Sequence, residues 1–369
     1  MNQPMNKKPV LLITGAEGLI GSRLVNAFSE DYEVVAFDLE PLPAEQDQHQ
    51  ADWIPCDLTD DAQVARALLT LKQRHGDRIA SVIHLAAYYD FSGEPSPLYQ
   101  DLTVEGTRRL LRGLQEFKVE QFVFSSSLLV QASSEDGQPI RETSPVNAEW
   151  DYPKSKLAAE EVIRKEARDI PAVILRLAGV YDEDCHSIPI AQQIARLYEK
   201  QLESYFFPGD ITCGQSFLHL DDLVACFQTT VERRINLPLH SLFIIGEEDL
   251  MSYEELQDKL GLYLHGDQWP AIRIPKVAAK AGAWIKDQMS DAEDAPFIKP
   301  WMIDLADQNY PVSVQRAREV LEWEPRHQLR NTLPEMTERL KSDPERWYQI
   351  NGLPVPQELE QQDSTGVRK

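Results

Sequence analysis

The sequence predicts an α/β fold with a doubly wound parallel sheet, followed by a smaller C-terminal α/β lobe. Two observations carry this prediction. Short apolar segments alternate with amphipathic segments through the first half of the 369 residues, and glycines three positions apart follow the first apolar segment. Strands that alternate with helices form parallel sheets covered on both faces. After Tyr181 the alternation becomes less regular, which marks the start of the lobe.

Each element is predicted from its own pattern. Apolar runs bounded by turn residues predict strands at 10–14, 33–38, 53–57, 81–86, 121–126 and 172–177. Apolar residues at helical spacing predict intervening helices at 19–28, 62–74, 104–117 and 155–168. In the later chain we predict helices at 221–231, 252–260 and 278–289 and a strand at 242–246. Gly261 is expected to stop the second of these helices.

The glycines follow the first strand in the order that a pyrophosphate site requires. The segment reads Thr14-Gly15-Ala16-Glu17-Gly18-Leu19-Ile20-Gly21. Gly15 permits a tight turn, Gly18 lets the backbone approach phosphates, and Gly21 lets the helix pack closely, while the helix N-terminus offers free N–H groups. The second strand ends in Asp38, whose carboxylate accepts hydrogen bonds from a ribose diol and repels a 2′-phosphate. We therefore predict a dinucleotide site, for NAD rather than NADP.

These elements divide the chain into three parts. Residues 1–180 are expected to form an NAD-binding Rossmann-type domain, which short later segments around 215–245 rejoin. Residues 181–345 are expected to form mostly a substrate-binding lobe and closing helices. Residues 354–369 are rich in Gln, Glu, Asp and Pro, a composition that predicts a flexible tail.

Tyr152 and Lys156 lie four positions apart, so they would share one face of a helix. A lysine ammonium beside a phenol, together with an oxidised nicotinamide ring, favours phenolate and lowers the phenol pKa from near 10. Such a phenol exchanges a proton with a substrate hydroxyl while the nicotinamide exchanges a hydride. Ser127, at the end of the preceding strand, would hold the substrate oxygen. A tyrosine and a lysine four positions apart also occur by chance. The pair is a specific indication here because it follows both the glycine turn and the serines at 125–127.

The chain resembles the extended short-chain dehydrogenase/reductases of the NAD-dependent epimerase/dehydratase family. The glycine turn, Ser127 and Tyr152-x-x-x-Lys156 match the cofactor and catalytic motifs of that family. Further matching segments are Cys56-Asp57-Leu58, Ile83-His84-Leu85-Ala86-Ala87, Leu175-Arg176-Leu177, Leu218-His219-Leu220-Asp221-Asp222 and Leu321-Glu322-Trp323-Glu324-Pro325. The resemblance covers nearly the whole chain to about Pro325.

The resemblance implies which residues contact ligands. Besides the glycines and Asp38, NAD would contact Leu19, Ile20, Asp57, Leu58, Leu85, Ala86, Ala87, Thr103, Ser125 and Lys156. The substrate would contact Tyr88, Tyr89, Ser127 and Gly179. The two tyrosines follow the fourth strand, where loops face the ligand crevice. The resemblance also implies a homodimer formed by helix 104–117 and the helix that carries Tyr152.

The chain departs from the family pattern at four places. Thr103 stands where asparagine is common, which puts a proton relay through water in doubt. Gln215 replaces an arginine that clamps the diphosphate of nucleotide sugars. Ala178-Gly179 replaces an asparagine, and Leu128-Leu129 replaces the acid pair with which sugar dehydratases eliminate water.

We therefore predict an enzyme, an NAD-dependent oxidoreductase or epimerase that transfers a hydride at a hydroxyl or carbonyl carbon. Its substrate is expected to be a sugar nucleotide or a related small molecule. Two alternatives stay open. One is a dehydrogenase or reductase of an uncharged alcohol or ketone, and the other is a non-catalytic NAD-sensing protein.

Composition excludes several other classes of function. Lys plus Arg total 37 and Asp plus Glu total 60, so the net charge of −23 disfavours nucleic acid and anionic membranes as partners. No apolar stretch reaches the length of a membrane helix, and the polar residues 1–8 leave no room for a signal peptide, so a cytoplasmic protein is expected. The four cysteines lack metal-type spacing, and no metal site is predicted.

Some conspicuous side chains have structural explanations. His84 is expected to be a hydrogen-bonded core residue, and His219 with Asp221 and Asp222 is expected to cap a helix rather than bind metal. The aromatic residues in the loop after the fourth strand are Tyr88, Tyr89 and Phe91. Core packing is expected to account for one or two of them. Late in the chain, four apolar residues are expected to form either a lid or the core of the lobe, namely Trp284, Phe297, Trp301 and Met302.

Overall fold

The structure, a computed structural model, describes residues 8–39, 51–90, 93–289, 300–357 and 359, without the side chains of 283–289 and 300. Its strands are β1 Val10–Thr14, β2 Glu33–Asp38, β3 Ala51–Pro55, β4 Arg78–Ile79, β5 Ser81–His84, β6 Lys118–Val119, β7 Phe122–Ser127, β8 Ala172–Leu177, β9 Gly179–Tyr181, β10 Phe206–Pro208, β11 Gly214–Gln215, β12 Phe217–His219, β13 His240–Ile245, β14 Met251–Ser252 and β15 Ile272–Ile274. Its α-helices are α1 Leu19–Phe28, α2 Asp61–His75, α3 Glu105–Leu114, α4 Asp151–Glu166, α5 Ile188–Tyr198, α6 Leu220–Glu232, α7 Tyr253–His265, α8 Lys276–Met289, α9 Pro300–Leu305, α10 Leu329–Ser342 and α11 Pro344–Ile350.

Seven strands form one parallel sheet in the order β13-β8-β7-β5-β1-β2-β3. The chain order reverses at β1, which pairs with β2 on one side and with β5 on the other. In such sheets the ligand crevice lies beyond the carboxyl ends of the strands at this switch point. The predicted doubly wound parallel sheet is confirmed.

Three hydrophobic clusters hold the molecule together. One lies between the sheet and helices α1 and α6, where Leu24 and Phe227 are fully buried. A second lies on the opposite face, under α2, α3 and α4. The third packs α5, α7, α10 and α11 together around the fully buried Trp347. The sheet is thus covered on both faces, and the late helices have a core of their own.

The helix predicted to stop at Gly261 is longer than its sequence suggests. Helix α7 continues to His265 and ends at Gly266, which has φ +83°. A β-carbon on Gly261 would lie 2.6 Å from Cβ of Trp269, so this glycine serves close packing inside the helix. The positive φ at Gly266 is what a helix C-terminus requires of glycine.

Helices α5, α9, α10 and α11 are missing from the sequence-based prediction. The N-terminal signal of α11 is nonetheless present, because Asp343 accepts a hydrogen bond from the Arg346 N–H and Pro344 occupies the first helical position. Helix α4 begins at Asp151 rather than at 155. Both Tyr152 and Lys156 therefore lie on it.

Some predictions fall outside the described residues, namely those on Phe91, Phe297 and most of the tail from 354. The side chain of Trp284 is also undescribed. Within the predicted tail, Val355 and Leu359 pack against the third hydrophobic cluster. Among the described residues, no helix combines the length and apolar character that crossing a membrane demands.

Candidate active site

The glycine turn at the end of β1 is built around two steric requirements. Gly15 has φ +69°, and a β-carbon there would lie 2.8 Å from the backbone nitrogen of Ala86. A β-carbon on Gly21 would lie 2.2 Å from the carbonyl oxygen of Gly15. Real β-carbons do not approach backbone so closely, so the fold itself requires glycine at both positions.

Gly18 differs from Gly15 and Gly21 in its backbone conformation and in the space around it. Its φ is −64°, and a β-carbon there would meet its nearest atom at 3.5 Å, an ordinary contact. The fold therefore tolerates a side chain at 18. Because no side chain caps the first turn of α1, its N–H groups are available to an anion. These features fit the pyrophosphate of NAD.

Asp38 lies beside this turn at the end of β2. Its Oδ2 accepts a hydrogen bond from the Glu17 N–H at 2.9 Å, and its Oδ1 accepts one from the Leu39 N–H at 2.8 Å. Each carboxylate oxygen can accept a further hydrogen bond, so the group suits a ribose hydroxyl. The structure thus places Asp38 next to the site that the glycines form.

The other predicted cofactor residues divide into those on the cavity wall and those behind it. Leu19, Ile20, Leu85, Ala87, Ser125 and Lys156 line the cavity. Ala86 backs Gly15, and Asp57 uses Oδ1 to accept hydrogen bonds from the N–H and hydroxyl of Thr59. Leu58 is buried. The fully buried Thr103 accepts the Tyr88 N–H at 3.0 Å, so it supports the backbone of the loop after β5.

A cavity of about 510 Å³ lies at the carboxyl ends of the central strands and contains the predicted catalytic set. Strand β7 delivers Ser127, and the first two turns of α4 deliver Tyr152 and Lys156. Lys156 Nζ donates to the Ser125 carbonyl oxygen at 2.8 Å and lies 5.8 Å from the centre of the Tyr152 ring. A serine hydroxyl, a phenol and an amine therefore face one cavity.

The protein groups alone do not make Tyr152 acidic. Desolvation raises the pKa of Tyr152, and a hydrogen bond with the Ser127 hydroxyl acts in the opposite direction. Burial also lowers the pKa of Lys156 to about 7, against the opposing effect of Glu160. The spacing predicts a lowered phenol pKa beside both Lys156 and an oxidised nicotinamide ring. Lys156 alone does not lower it, because burial that penalises phenolate penalises the ammonium too.

Glu160 is a supporting residue that the sequence reasoning missed. It is fully buried and accepts the Ser126 hydroxyl at 2.6 Å. Arg176 donates to its two carboxylate oxygens at 2.9 and 2.7 Å. The pair fixes α4 against β7 and β8, one helical turn after Lys156. A pattern in the sequence could have identified Glu160, since Tyr152, Lys156 and Glu160 are spaced by four and so share one face of the helix.

Aromatic rings form the wall around the phenol. The Tyr89 ring packs edge-on against Tyr152 with centroids 4.9 Å apart, and Trp150 lies 5.5 Å from Tyr152. Trp301 packs 5.2 Å from Trp150 and, like Met302 and Gly179, lines the cavity. Tyr88 differs from Tyr89, because it is absent from the described cavity wall and its hydroxyl donates to Asp90 at 3.3 Å.

His84 and His219, the two histidines in the segments that match the family pattern, have structural roles. His84 is fully buried between the hydroxyls of Thr14 at 2.7 Å and Thr107 at 2.9 Å, and burial lowers its pKa to about 3. His219 accepts the Asp221 N–H and so caps α6. The ligand atoms of His219, Asp221 and His327 lie within 4.8 Å of one another, so the absence of a metal site stays a prediction.

Comparisons with known proteins show which family the sequence matches. The family model of the NAD dependent epimerase/dehydratase family matches residues 11–246. A sterol-4-alpha-carboxylate 3-dehydrogenase of Candida albicans, ERG26, is 27% identical over 213 residues, which are 52% of this chain and 57% of that protein. A UDP-glucose 4-epimerase of Streptomyces lividans is 29% identical over 169 residues, 42% of this chain and 51% of that protein. The chain therefore spans little more than half the length of each.

A solved structure has the same fold over nearly all of its length. MoeE5 in complex with UDP-glucose and NAD superimposes with a TM-score of 0.65 at 24% identity, covering 90% of this chain and 98% of that one. At this identity the likeness establishes the fold.

Proposed function

The chain belongs to the NAD-dependent epimerase/dehydratase family, and we propose that it is a dehydrogenase or reductase of a largely apolar secondary alcohol or its ketone. The family is NAD-dependent, so the cofactor is NAD. One observation carries the choice of substrate. Among the described residues that line the cavity around Tyr152, aromatic and aliphatic side chains predominate and arginine is absent.

The chemistry assigns a role to each residue of the catalytic set. Ser127 donates a hydrogen bond to the substrate oxygen, and Tyr152 takes up or returns the proton of that oxygen. Lys156 supplies positive charge beside the phenol when it is protonated. When bound, NAD supplies the hydride acceptor and, in its oxidised form, a further positive charge that favours phenolate. The glycine turn and Asp38 hold and orient this cofactor.

The charges of the cavity disfavour a nucleotide sugar. A diphosphate needs several cationic or bidentate donors. The described wall offers two cationic side chains, Lys156, which already donates to Ser125, and His186, which pairs with Asp182 at 2.8 Å. Gln215, at the position of the clamp arginine in the family pattern, also lines the cavity. Glu149 on the same wall would repel a diphosphate.

Hydride transfer measured by NADH absorbance tests the proposal. Purified protein would be offered NAD with apolar cyclic secondary alcohols, with hydroxysteroids such as the relative ERG26 suggests, and with UDP-glucose. We expect turnover of apolar alcohols and none of UDP-glucose, with the Tyr152→Phe variant as control. Oxidation of UDP-glucose alone, seen as NADH, would contradict the substrate assignment. Its epimerisation would do so too, and because that reaction forms no net NADH it is followed by chromatography of the sugar nucleotides. Absence of NADH formation in both proteins would leave the NAD-sensing alternative, and equal non-zero rates would remove Tyr152 from the proposed mechanism.

The proposal also assigns a role to the later part of the chain and an oligomeric state to the protein. Apart from the segments around 215–245 that rejoin the Rossmann-type domain, residues 181–345 supply part of the cavity wall, including Ile188 and Met302, and act mostly as the substrate-binding lobe. Homodimerisation through α3 and α4 stays a prediction, and light scattering of the purified protein tests it.

A further inference from the structure

A second cavity adjoins the first. It measures about 190 Å³ and lies among α5, β10 and α7. The two cavities share six wall residues, which are Pro189, Gln215, Phe217, Tyr253, Met302 and Ala306. A ligand whose reacting carbon lies at Tyr152 could therefore extend past this shared wall into the second cavity.

The second cavity contains a cation that forms no salt bridge with a described carboxylate. Arg196 of α5 lines it and donates to Gln193 Oε1 at 2.5 Å. Within the described part of the chain, no carboxylate oxygen lies within 4 Å of its guanidinium. Burial lowers the pKa of Arg196 to about 10, and the side chains of Tyr253 and Glu203 act in the opposite direction without offsetting it.

A chain of amides orients this guanidinium. Gln193 donates to Gln257 Oε1 at 2.7 Å, and Gln257 donates to the Ser204 carbonyl oxygen at 2.7 Å. The amides fix Arg196 without cancelling its charge. A guanidinium has five N–H donors in a rigid fork, and a carboxylate matches two of them. The fork therefore retains donors for an anionic ligand.

We propose that the second cavity binds a carboxylate of the substrate through Arg196, so that the substrate is an apolar hydroxy or oxo acid. This inference rests on the proposed function for the identity of the reacting end. The hydroxyl or carbonyl carbon lies at Tyr152, the apolar body passes Phe217 and Met302, and the carboxylate meets Arg196.

The charge and polarity of the second cavity select a monoanion. Glu203 also lines it, and its negative charge limits the anionic charge that the cavity accepts beside Arg196. Phe206, Phe207 and Leu256 make much of the remaining wall apolar. A single guanidinium pairs with one carboxylate. A diphosphate would add a second negative charge beside Glu203.

Two fluorescent probes of similar shape test the inference on the NAD-saturated enzyme. 1-Anilinonaphthalene-8-sulfonate is aromatic and monoanionic, and N-phenyl-1-naphthylamine is its uncharged counterpart. We expect Arg196→Met to weaken binding of the anionic probe about tenfold and to leave the uncharged probe within about twofold. Arg196→Lys should restore part of the difference, because it keeps the charge and loses the fork. Arg66→Met, which removes an exposed arginine of α2, should change neither probe.

Competition experiments identify the class of anion. Dodecanoate should displace the anionic probe from the wild type, and UDP should not. Unchanged binding of the anionic probe in Arg196→Met would overturn the proposal, as would equal weakening of both probes, which would mean loss of cavity shape. Displacement by UDP but not by dodecanoate would also overturn it. Failure of the proposed function is seen separately, as absence of NADH formation in the alcohol screen while the probe results still hold.

Discussion

Two regions of the molecule bury ionisable groups, and they do so in opposite ways. In the active-site cavity, the phenol of Tyr152 and the amine of Lys156 face open space on one side. At the junction between the sheet and the late helices, Glu247 is 2% exposed and both of its oxygens are used. They accept hydrogen bonds from the Tyr181 hydroxyl at 2.6 Å and the Leu329 N–H at 2.8 Å.

Asp222 strengthens the same junction. Its Oδ2 accepts the N–H groups of Arg326 at 2.9 Å and His327 at 2.8 Å. These carboxylates fasten the segment that leads into α10 against the sheet. The comparison shows that burial of an ionisable group does not by itself indicate catalysis. Unused hydrogen-bonding capacity that faces a cavity is the stronger indication, because a fully paired group has nothing left to offer a substrate.

The largest effect is expected from Tyr152→Phe. The variant keeps the ring contacts with Tyr89 and Trp150 and loses the hydroxyl, so kcat should fall by about a thousandfold. Urea unfolding should give the wild-type free energy within about 0.5 kcal/mol. A large loss of stability with kcat retained would mean that Tyr152, like Glu247, serves the structure and not catalysis.

Glu247→Gln tests the other region through pH. The pKa of Glu247 is raised from 4.5 to about 7 by burial, so folding favours its protonated form. Its contribution to stability is fully present below about pH 4.5 and is lost as the pH rises through 7. Relative to the variant, wild-type free energy of unfolding should fall by about 2 kcal/mol between about pH 5.5 and 7.5.

Urea unfolding of both proteins across that range measures the difference, and parallel pH profiles would contradict the assignment. The glutamine is a suitable control because its carbonyl can accept the Leu329 N–H while its amide donates to Tyr181. Turnover of the variant at low pH should remain close to wild type, since Glu247 is absent from the described cavity wall.

A pair of glycine variants separates fold from ligand within the cofactor turn. Gly21→Ala places a methyl group 2.2 Å from backbone and should destabilise the protein by about 2 kcal/mol. Gly18→Ala should leave stability unchanged, because its neighbours in the fold permit a β-carbon. It should raise the Kd for NAD about tenfold, because the methyl group would lie where the backbone approaches the pyrophosphate. Wild-type NAD affinity in Gly18→Ala would remove Gly18 from the cofactor site.

The smallest effect is expected from Thr103→Val. It leaves the Tyr88 N–H without its acceptor and should cost about 1 kcal/mol of stability. Thr103→Ser keeps the hydroxyl and serves as the matched control. If Thr103→Val instead lowered kcat with stability unchanged, Thr103 would belong with the catalytic region rather than with the supporting one.

Much of the first half of the fold followed from local patterns. Helix α1 was predicted at its observed bounds because its apolar spacing and flanking glycines are both local signals. Helices α5 and α10 were not, since their apolar faces are shared with a separate core whose partners lie far along the chain. The predicted end of α7 at Gly261 was wrong for a related reason. The contact of Gly261 with Trp269, which requires glycine there, exists only after the chain has folded.

The sequence by itself determined the glycine turn, the acidic end of β2 and the spacing of Tyr152 and Lys156, because each depends on neighbours within a few residues. Only the tertiary structure decided what surrounds them. The pairing of Glu160 with Arg176, the aromatic wall that Trp301 joins, and the Arg196 cavity all bring together distant segments. Long-range packing also sets desolvation, which is why the raised pKa of Tyr152 could not be read from its spacing to Lys156.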